Sequence, residues 1–406
     1  MKKIISSLIF SFFFLFCSAA DIYVNNSGQA GTYTTITAAL AAAAPNDNVY
    51  VSPYDSYTEN LTIFQNVTLA SAVSGTVFNV VGTLTINGAP NMNVRIIGAE
   101  FSGNLNATTG GAGLNTKSDV YVVESSFSSI SASNFIQMHV LFCSFSVPMN
   151  LSIRHGKVIG NNNIGNITIM DGPNAGVGDT VFIVGNVLGE LKYIRWRNDD
   201  NYFYIANNTR VDEDYYCLEI DNHHYNSLIN NLVINNTFST NGYTSSYYDV
   251  PVRITSSSNR NNIQFFNNIL EHKYPSSTPY AQAIYANSSG SGSVQLFYNY
   301  IKGYQTGVSL VVGNKIFYSD QTNLNILGNG ICNDPLCVNQ GSPSLQFYDI
   351  DLTRNDIGTF GGPNSIKNYL SDSTSLGKAR VYDLDMPFEI WSGQTPTVKA
   401  KGTHTK

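Results

Sequence analysis

The fold is decided by three short stretches: Phe182-Ile183-Val184-Gly185-Asn186, Tyr204-Ile205-Ala206-Asn207-Asn208 and Val233-Ile234-Asn235-Asn236. Each joins an apolar run of strand length to Gly or Asn, the residues that best tolerate the left-handed backbone of a sharp corner. The pattern recurs at intervals of about 20 to 35 residues, a spacing typical of solenoid proteins. Further copies are Arg95-Ile96-Ile97-Gly98, Tyr121-Val122-Val123-Glu124, Val158-Ile159-Gly160-Asn161, Gln264-Phe265-Phe266-Asn267-Asn268 and Leu296-Phe297-Tyr298-Asn299.

A short strand, a tight corner and this period together predict an all-β parallel β-helix. One coil cannot bury its inward face alone, so each coil must stack on its neighbours. Asparagines at successive corners could then hydrogen-bond along the axis as an Asn ladder, an arrangement known from cross-β stacks. The alternative is a β-sandwich with Asn-rich turns. Hairpin signals such as Asn87-Gly88 and Asn241-Gly242 are sparse, which disfavours the sandwich.

The composition fits this prediction and excludes several classes of protein. Only 12% of the 406 residues are charged, against about 25% in an average globular protein. A hydrophobic content of 43% with 12% aromatics excludes a disordered chain. The acidic balance of 28 Asp+Glu against 22 Lys+Arg argues against a nucleic-acid partner. Ladder positions would disfavour charge, because like charges repel along a stack.

The first twenty residues are typical of a secretory signal peptide of bacterial appearance. Lys2 and Lys3 precede an apolar run over residues 4–16, and small residues follow at positions 18–20. The run is shorter than the roughly 20 apolar residues of a membrane span. The alternatives are a membrane anchor and a lipoprotein signal at Cys17, which bulky Phe16 disfavours. We therefore expect a secreted or cell-surface protein with no membrane span.

The remaining chain divides into a β-helix over residues 21–352 and a C-terminal cap or attachment tail over residues 353–406. An Ala-rich segment over residues 35–44, stopped by Pro45, predicts a short helix that caps the first coil. In an oxidising compartment a Cys332–Cys337 disulfide can form. Cys143 and Cys217 lie in apolar runs, where buried thiols are at least as plausible as a bridge.

Both ends of the chain resemble a known group of proteins. Ile22-Tyr23-Val24, Val49-Tyr50-Val51 and residues 57–63 resemble the N-terminal coil of the pectin lyase-like superfamily, and pectin methylesterases in particular. Residues 333–336 and the segment Asn355-Asp356-Ile357-Gly358-Thr359-Phe360-Gly361-Gly362 resemble the closing segment of secreted bacterial right-handed β-helix proteins. The resemblance implies a right-handed parallel β-helix (solenoid). It implies little about activity, because one fold hosts many functions.

No complete catalytic set can be carried over from these families. Residues 179–185 look like the esterase segment with its nucleophilic Asp between Val and Phe, but that Asp is missing here. Polygalacturonase-like hydrolases carry Asn-Thr-Asp and Gly-His-Gly segments. In this chain Asn208-Thr209 is followed by Arg210, and no Gly-His-Gly occurs.

Charge is concentrated between residues 190 and 224, where 12 of 35 residues are charged. If Leu218 and Ile220 face the core, Glu219 and Asp221 point outward together with Cα atoms about 6.6 Å apart. Such carboxyl pairs serve inverting glycosidases, aromatic rings cover the apolar faces of sugars, and arginine matches a sugar carboxylate. The candidate catalytic residues are Arg195, Glu219 and Asp221; the candidate ligand-binding residues are Trp196, Arg197, Tyr202, Tyr204, Tyr215, Tyr216 and His223.

Three functions therefore remain open from the sequence. The first is a secreted β-helix protein that binds a polysaccharide or cell-surface glycan without catalysis. The others are a polysaccharide lyase, esterase or glycoside hydrolase with an unfamiliar site, and a structural or adhesive surface protein. A plain solvated surface with salt bridges would also explain the charged segment. We expect no cofactor, except that Ca²⁺ could bind among Asp199, Asp200, Asp212 and Asp214; the adjacent His223-His224 lacks zinc spacing.

Overall fold

A computed structural model describes most of the chain from residue 19 onward. The described residues are 19–88, 91–109, 118–132, 136–170, 180–189, 194–196, 202–213, 216–220, 230–240, 250–256, 262–272, 284–288, 293–302, 311–312, 317–318, 332, 335–349, 351–369, 379–385 and 399–404. The signal peptide expected over residues 1–20 lies almost entirely outside them.

Strands dominate the described residues, which form 33 strands, one α-helix and two 3₁₀ turns at Leu345–Phe347 and Ile366–Asn368. The helix is α1 (Ile36–Ala42). The strands are β1 (Asp21–Val24), β2 (Asp47–Val51), β3 (Ser56–Tyr57), β4 (Leu61–Ile63), β5 (Val67–Ser71), β6 (Phe78–Val80), β7 (Leu84–Gly88), β8 (Asn93–Ile97), β9 (Ala99–Phe101), β10 (Leu105–Thr109), β11 (Ser118–Val123), β12 (Ser129–Ala132), β13 (Ile136–Leu141), β14 (Ser144–Ile153), β15 (His155–Ile159), β16 (Asn162–Ile169), β17 (Thr180–Val184), β18 (Ile194–Trp196), β19 (Tyr202–Ala206), β20 (Thr209–Glu213), β21 (Leu218–Ile220), β22 (Asn230–Ile234), β23 (Thr237–Thr240), β24 (Val252–Ser256), β25 (Asn262–Phe266), β26 (Ile269–His272), β27 (Ile284–Ser288), β28 (Ser293–Phe297), β29 (Tyr300–Lys302), β30 (Val311–Val312), β31 (Phe317–Tyr318), β32 (Ala379–Asp385) and β33 (Lys399–His404).

Four parallel sheets contain all but the last two strands. Sheet A has thirteen strands in the order β1-β2-β5-β8-β11-β13-β15-β17-β19-β22-β25-β28-β30, and sheet C has ten in the order β4-β7-β10-β12-β14-β16-β18-β21-β24-β27. Sheet B (β3-β6-β9) and sheet D (β20-β23-β26-β29-β31) complete the coils near the two ends. In the coils near the two ends the chain passes from sheet A to sheet B or D, then to sheet C and back to sheet A, whereas between β11 and β19 the strands alternate between sheets A and C. This all-β connectivity is consistent with the expected parallel β-helix.

The helix α1 covers the first coil, as the Ala-rich segment predicts. Thr35 provides the N-cap, and its side chain accepts a hydrogen bond from the backbone N–H of Ala38 at 3.2 Å. The Glu59 carboxylate accepts the next two orphan N–H groups, those of Ile36 and Thr37, both at 2.9 Å. Ile36 and Ala39 are buried in the hydrophobic core. The helix is therefore held by its N-terminal backbone groups and by its apolar face.

The interior of the coils is a set of apolar columns, because parallel strands in register place equivalent residues one above another. Strands stack about 4.8 Å apart, so side chains of one column contact along the axis. One column of sheet A is fully buried over eleven coils: Val49, Leu69, Ile96, Val122, Val140, Val158, Ile183, Ile205, Val233, Phe265 and Leu296.

The predicted Asn ladder is present at the corner that follows sheet A. The Nδ2 of every ladder asparagine except the last, Asn299, donates to the Oδ1 of the next asparagine at 2.8 to 3.0 Å. All six Nδ2 groups also donate to a backbone carbonyl of the preceding coil. All six side chains are fully buried, so these bonds replace water completely. The ladder residues are Asn161, Asn186, Asn208, Asn236, Asn268 and Asn299.

The ladder changes chemistry at Cys143, which occupies the same corner one coil earlier. Its backbone N–H donates to Asn161 Oδ1 at 2.9 Å, and its thiol donates to the Val122 carbonyl at 3.6 Å. Burial raises the pKa of this thiol to about 12, so it stays a donor. Cys143 and Cys217 are both buried thiols, in agreement with the simpler of the two sequence interpretations.

The C-terminal segment lies along the side of the coils. Residues 335–349 and 351–369, here called the strap, contact the corner between sheets A and D from Tyr300 back to Phe142. The strap therefore begins before residue 353, the boundary expected from the sequence. The Cys332–Cys337 disulfide, with a Cα–Cα distance of 6.3 Å, precedes most of it. Beyond the strap, β32 and β33 form an antiparallel pair.

Candidate functional site

The outer face of sheet C carries one continuous column of polar side chains in exact register from coil to coil. Its members alternate along each strand with residues of the hydrophobic core, so they point away from it. All are at least partly exposed except Glu219. In axial order they are Thr62, Thr85, Asn106, Ser131, Ser152, Thr168, Arg195, Glu219, Arg253 and Tyr285.

Three charged residues of this column form an ion trio. Arg195 Nε lies 2.5 Å from one oxygen of Glu219, and Arg253 Nη1 lies 3.3 Å from the other. The Glu219 side chain is only 2% exposed, whereas those of Arg195 and Arg253 are 25% and 20% exposed. The register explains the trio, because β18, β21 and β24 are adjacent strands and place these positions side by side.

Residues just before β21 hold the trio from one side. The Arg253 guanidinium lies 5.7 Å from the centre of the Tyr216 ring, a cation–π distance. Buried Arg210, in β20, donates from Nη1 to the Tyr216 backbone carbonyl at 2.5 Å. Tyr216 is itself buried, so its ring supports Arg253 and offers little surface of its own.

The structure therefore unites Arg195, Glu219 and Tyr216 among the predicted site residues. It adds Arg253, which sequence reasoning did not select. The three strands share one local pattern, a charged residue between two apolar residues: Ile194-Arg195-Trp196, Leu218-Glu219-Ile220 and Val252-Arg253-Ile254. Only the strand register shows that the three central residues are neighbours.

Other predicted residues lie on different faces. Tyr202 and Tyr204 belong to β19 in sheet A and so do not share the outer face of sheet C. Burial raises the pKa of Tyr204, and its hydroxyl accepts a hydrogen bond from Asn364 of the strap at 3.1 Å. Trp196 is described by its backbone alone, which pairs in register with Ile169 and Ile220 of the neighbouring strands.

Several predicted residues lie outside the described residues, namely Arg197, Tyr215, Asp221 and His223, as well as Asp199, Asp200 and Asp214 of the suggested Ca²⁺ site. The Glu219–Asp221 pair therefore stays a prediction. Among the described residues there is no group of three or more His, Cys, Asp or Glu that could hold a metal ion. Within the same part of the chain no helix is long and apolar enough to cross a membrane.

The trio is better suited to binding than to proton transfer. Glu219 is enclosed by two arginines, so a substrate proton could reach it only if those contacts opened. Two guanidinium groups with one carboxylate leave the trio with a formal charge of +1. Each guanidinium carries five N–H donors in a planar fork that matches carboxylates. Partly exposed arginines held in this way can present donors to an anionic or hydroxyl-rich ligand.

The outer face of sheet A provides a second stack, but its rings cover each other. Tyr121 and His139 stack at 4.4 Å, and Phe182 and Tyr204 lie 5.7 Å apart. Arg95 lies over the Tyr121 ring at 5.6 Å. Because ring faces are occupied by neighbouring coils, this column stabilises the stack and is poorly suited to a sugar ring. The column on sheet C is the better candidate for a binding site.

Comparison of the chain with protein-family models, with curated proteins and with solved structures found no match.

Proposed function

We propose that this protein is a secreted or surface-exposed right-handed parallel β-helix of the pectin lyase-like type that binds a linear carbohydrate. The signal-like N-terminus supports export, and crossover connections between parallel strands are right-handed in nearly all proteins. The bound chain lies on the outer face of sheet C, along the axis of the coils.

The in-register polar column is the single observation that carries this proposal. It supplies one hydroxyl, amide or charged group on each of ten successive strands. The step between groups is about 4.8 Å, comparable to the length of one sugar ring in an extended polysaccharide. A linear glycan can therefore meet a hydrogen-bonding group at each residue, whereas a compact ligand would use only a few.

The ion trio adds a preference for an acidic sugar. Arg195 and Arg253 are held in position by Glu219, and Arg253 is supported by Tyr216. Preorganised arginines bind a carboxylate at a smaller entropy cost than freely rotating ones. Glu219 acts here as the residue that orients the arginines, so the proposed activity is binding without catalysis.

Binding is tested with the chain from residue 21 onward on a glycan array, followed by calorimetry with neutral and uronic-acid oligosaccharides. We expect Arg195→Lys and Arg253→Lys to lower the affinity for acidic oligosaccharides about tenfold, because lysine keeps the charge but loses the fork. Arg95→Lys is the matched control, since Arg95 faces outward from sheet A.

Two outcomes would overturn the proposal. Absence of glycan binding would leave a structural or adhesive role. Release of reducing ends or unsaturated sugars from a polysaccharide panel, lost in Glu219→Gln, would instead identify an enzyme.

A further inference from the structure

Side chains at the corners of the β-helix hold the strap, mainly by hydrogen bonds to the backbone groups of the strap. Asn207 Nδ2 donates to the carbonyls of Thr359 at 2.9 Å and Gly361 at 2.6 Å. One coil later, Asn235 Nδ2 donates to the carbonyls of Asp356 at 2.8 Å and Gly358 at 3.2 Å. These two asparagines have positive φ angles of 55° and 54°, so the left-handed corner directs their amides outward to the strap.

The next corner repeats this arrangement. Asn267 also has a positive φ, of 57°, and its Oδ1 accepts the backbone N–H of Ser342 at 2.7 Å. Its own carbonyl accepts the N–H of Gly358 at 2.7 Å. A Cβ atom at Gly358 would lie 2.9 Å from Thr237 Oγ1, so this close approach requires glycine. Three successive corners thus act together as a binding site for the strap.

Three apolar side chains anchor the strap at its two ends and its middle. Cys337 is 1% exposed and packs with Ile269 and Tyr300 of the coils. Phe347 and Tyr369 pack on an apolar ribbon on the outer face of sheet A. The ribbon consists of Val184, Ala206, Ile234 and the partly buried Ile159 and Phe266.

The attachment of the strap differs in kind from that of a coil. A coil is bonded to both neighbours by parallel strand pairs. Among the described residues, the hydrogen bonds between strap and coils are at or beside the corners, apart from the one that Asn364 donates to the Tyr204 hydroxyl. Segments with fewer bonds and a smaller apolar contact open at lower free energy than the core of a protein. The strap can therefore detach while sheets A, C and D stay stacked.

We propose that the strap is a releasable clasp on the β-helix, and that the Cys332–Cys337 disulfide holds it closed. The disulfide closes a short loop that presents Cys337 to its pocket beside Ile269 and Tyr300. Reduction gives the open strap more conformations and so favours opening. By the loop-entropy relation, a loop of this length changes the opening equilibrium by up to about 40-fold.

The redox step is an ordinary thiol–disulfide exchange. A dithiol reductant supplies two electrons and two protons, and is itself oxidised to its cyclic disulfide. Cys332 and Cys337 become two thiols, and no other bond breaks. The strap would therefore be loose in a reducing compartment and close firmly in an oxidising one. Opening uncovers the apolar ribbon of sheet A and leaves the polar column of sheet C unchanged.

Hydrogen exchange read by mass spectrometry tests this on the full chain, with and without dithiothreitol. We expect peptides from residues 337–362 to exchange faster in reductant, by up to about 40-fold. Peptides from β19, β22 and β25 should keep their exchange rates. Cys332→Ser removes the bridge but leaves Cys337 in its pocket, so its strap should exchange at the faster rate in both conditions.

Three results would overturn the proposal: strap exchange that reductant changes less than threefold, strap and sheet peptides that accelerate together, or an equal response to reductant in Cys332→Ser. Glycan binding is independent of this test, because the strap contacts sheets A and D and the proposed glycan site is on sheet C. Failure of one proposal is therefore distinguishable from failure of the other.

Discussion

Replacing Asn208 with alanine interrupts the Asn ladder at its middle. Asn208 Nδ2 donates to Asn236 Oδ1 at 3.0 Å and to the Ile183 carbonyl at 2.8 Å. Its Oδ1 accepts the side-chain N–H of Asn186 at 2.8 Å and the backbone N–H of Asn186 at 3.1 Å. Asn208→Ala therefore removes four hydrogen bonds from a site with no exposure to solvent.

The expected loss of stability follows from these four bonds. At a net value of about 1 kcal/mol each, they contribute about 4 kcal/mol to the free energy of unfolding. The Asn186 backbone N–H is buried and loses the acceptor it has in the wild type, which adds to the cost. Because each coil is stabilised by its neighbours, the substitution weakens the interfaces of the Asn208 coil with the coils on both sides.

Urea unfolding followed by circular dichroism measures the effect. Asn79→Ala is the matched control, since Asn79 is an exposed residue in the middle of β6. The control should change the free energy of unfolding by less than about 0.5 kcal/mol. If Asn208→Ala lies within about 1 kcal/mol of the control, the ladder does not stabilise the fold as argued.

Three further predictions concern the ladder and the strap. Cys143→Asn should extend the ladder by one coil and raise the free energy of unfolding by about 1 kcal/mol in urea unfolding. Burial disfavours the charged carboxylate of Asp349 and raises its pKa to about 6. The closed strap is therefore more stable when Asp349 is protonated. Strap stability should then be full below about pH 4 and fall as the pH rises through about 6; hydrogen exchange corrected for intrinsic rates should show this dependence, and Asp349→Asn should remove it. Gly185→Ala would place a methyl group on the Tyr369 ring and speed strap exchange. Gly31→Ala, also at positive φ but with nothing within 4 Å, should cost only about 1 kcal/mol of backbone strain.

For each of these three predictions, one result would contradict the reasoning. A destabilised Cys143→Asn would mean that the corner cannot accept an amide. A strap that becomes more stable above pH 6 would reverse the sign derived for Asp349. Equal strap exchange in Gly185→Ala and Gly31→Ala would show that Tyr369 does not anchor the strap.

The sequence was sufficient to predict the strand-rich stack, the capping helix and the Asn ladder. All three depend on local features: an apolar run of fixed length, an N-cap before an Ala-rich segment, and an amide that recurs at each corner. Local features are sufficient for these predictions, because every coil packs against a copy of the same pattern above and below it. For Cys143 the apolar run allowed either a buried thiol or a bridge, and the structure shows a buried thiol at the corner that asparagines occupy in later coils.

The candidate site could be predicted only in part. The charged segment includes Arg195 and Glu219, which the structure places side by side, whereas Tyr204 lies on another sheet. Glu219 is enclosed by two arginines. Coil lengths vary, so the residue that faces Glu219 from the next strand depends on strand register. Arg253 is 34 positions further along the chain, and nothing local marks it as that neighbour.

The repeating unit can be recognised from the amino-acid order, because the hydrophobic period and the corner residues act over a few positions. The alignment of the units, the polar column on sheet C and the position of the C-terminal segment along three corners become visible only in the folded chain. Those outcomes rest on contacts between residues far apart in the chain, such as Asn207 with Thr359. Such contacts are selected by the packing of whole coils, and the residues that make them carry no individual signal.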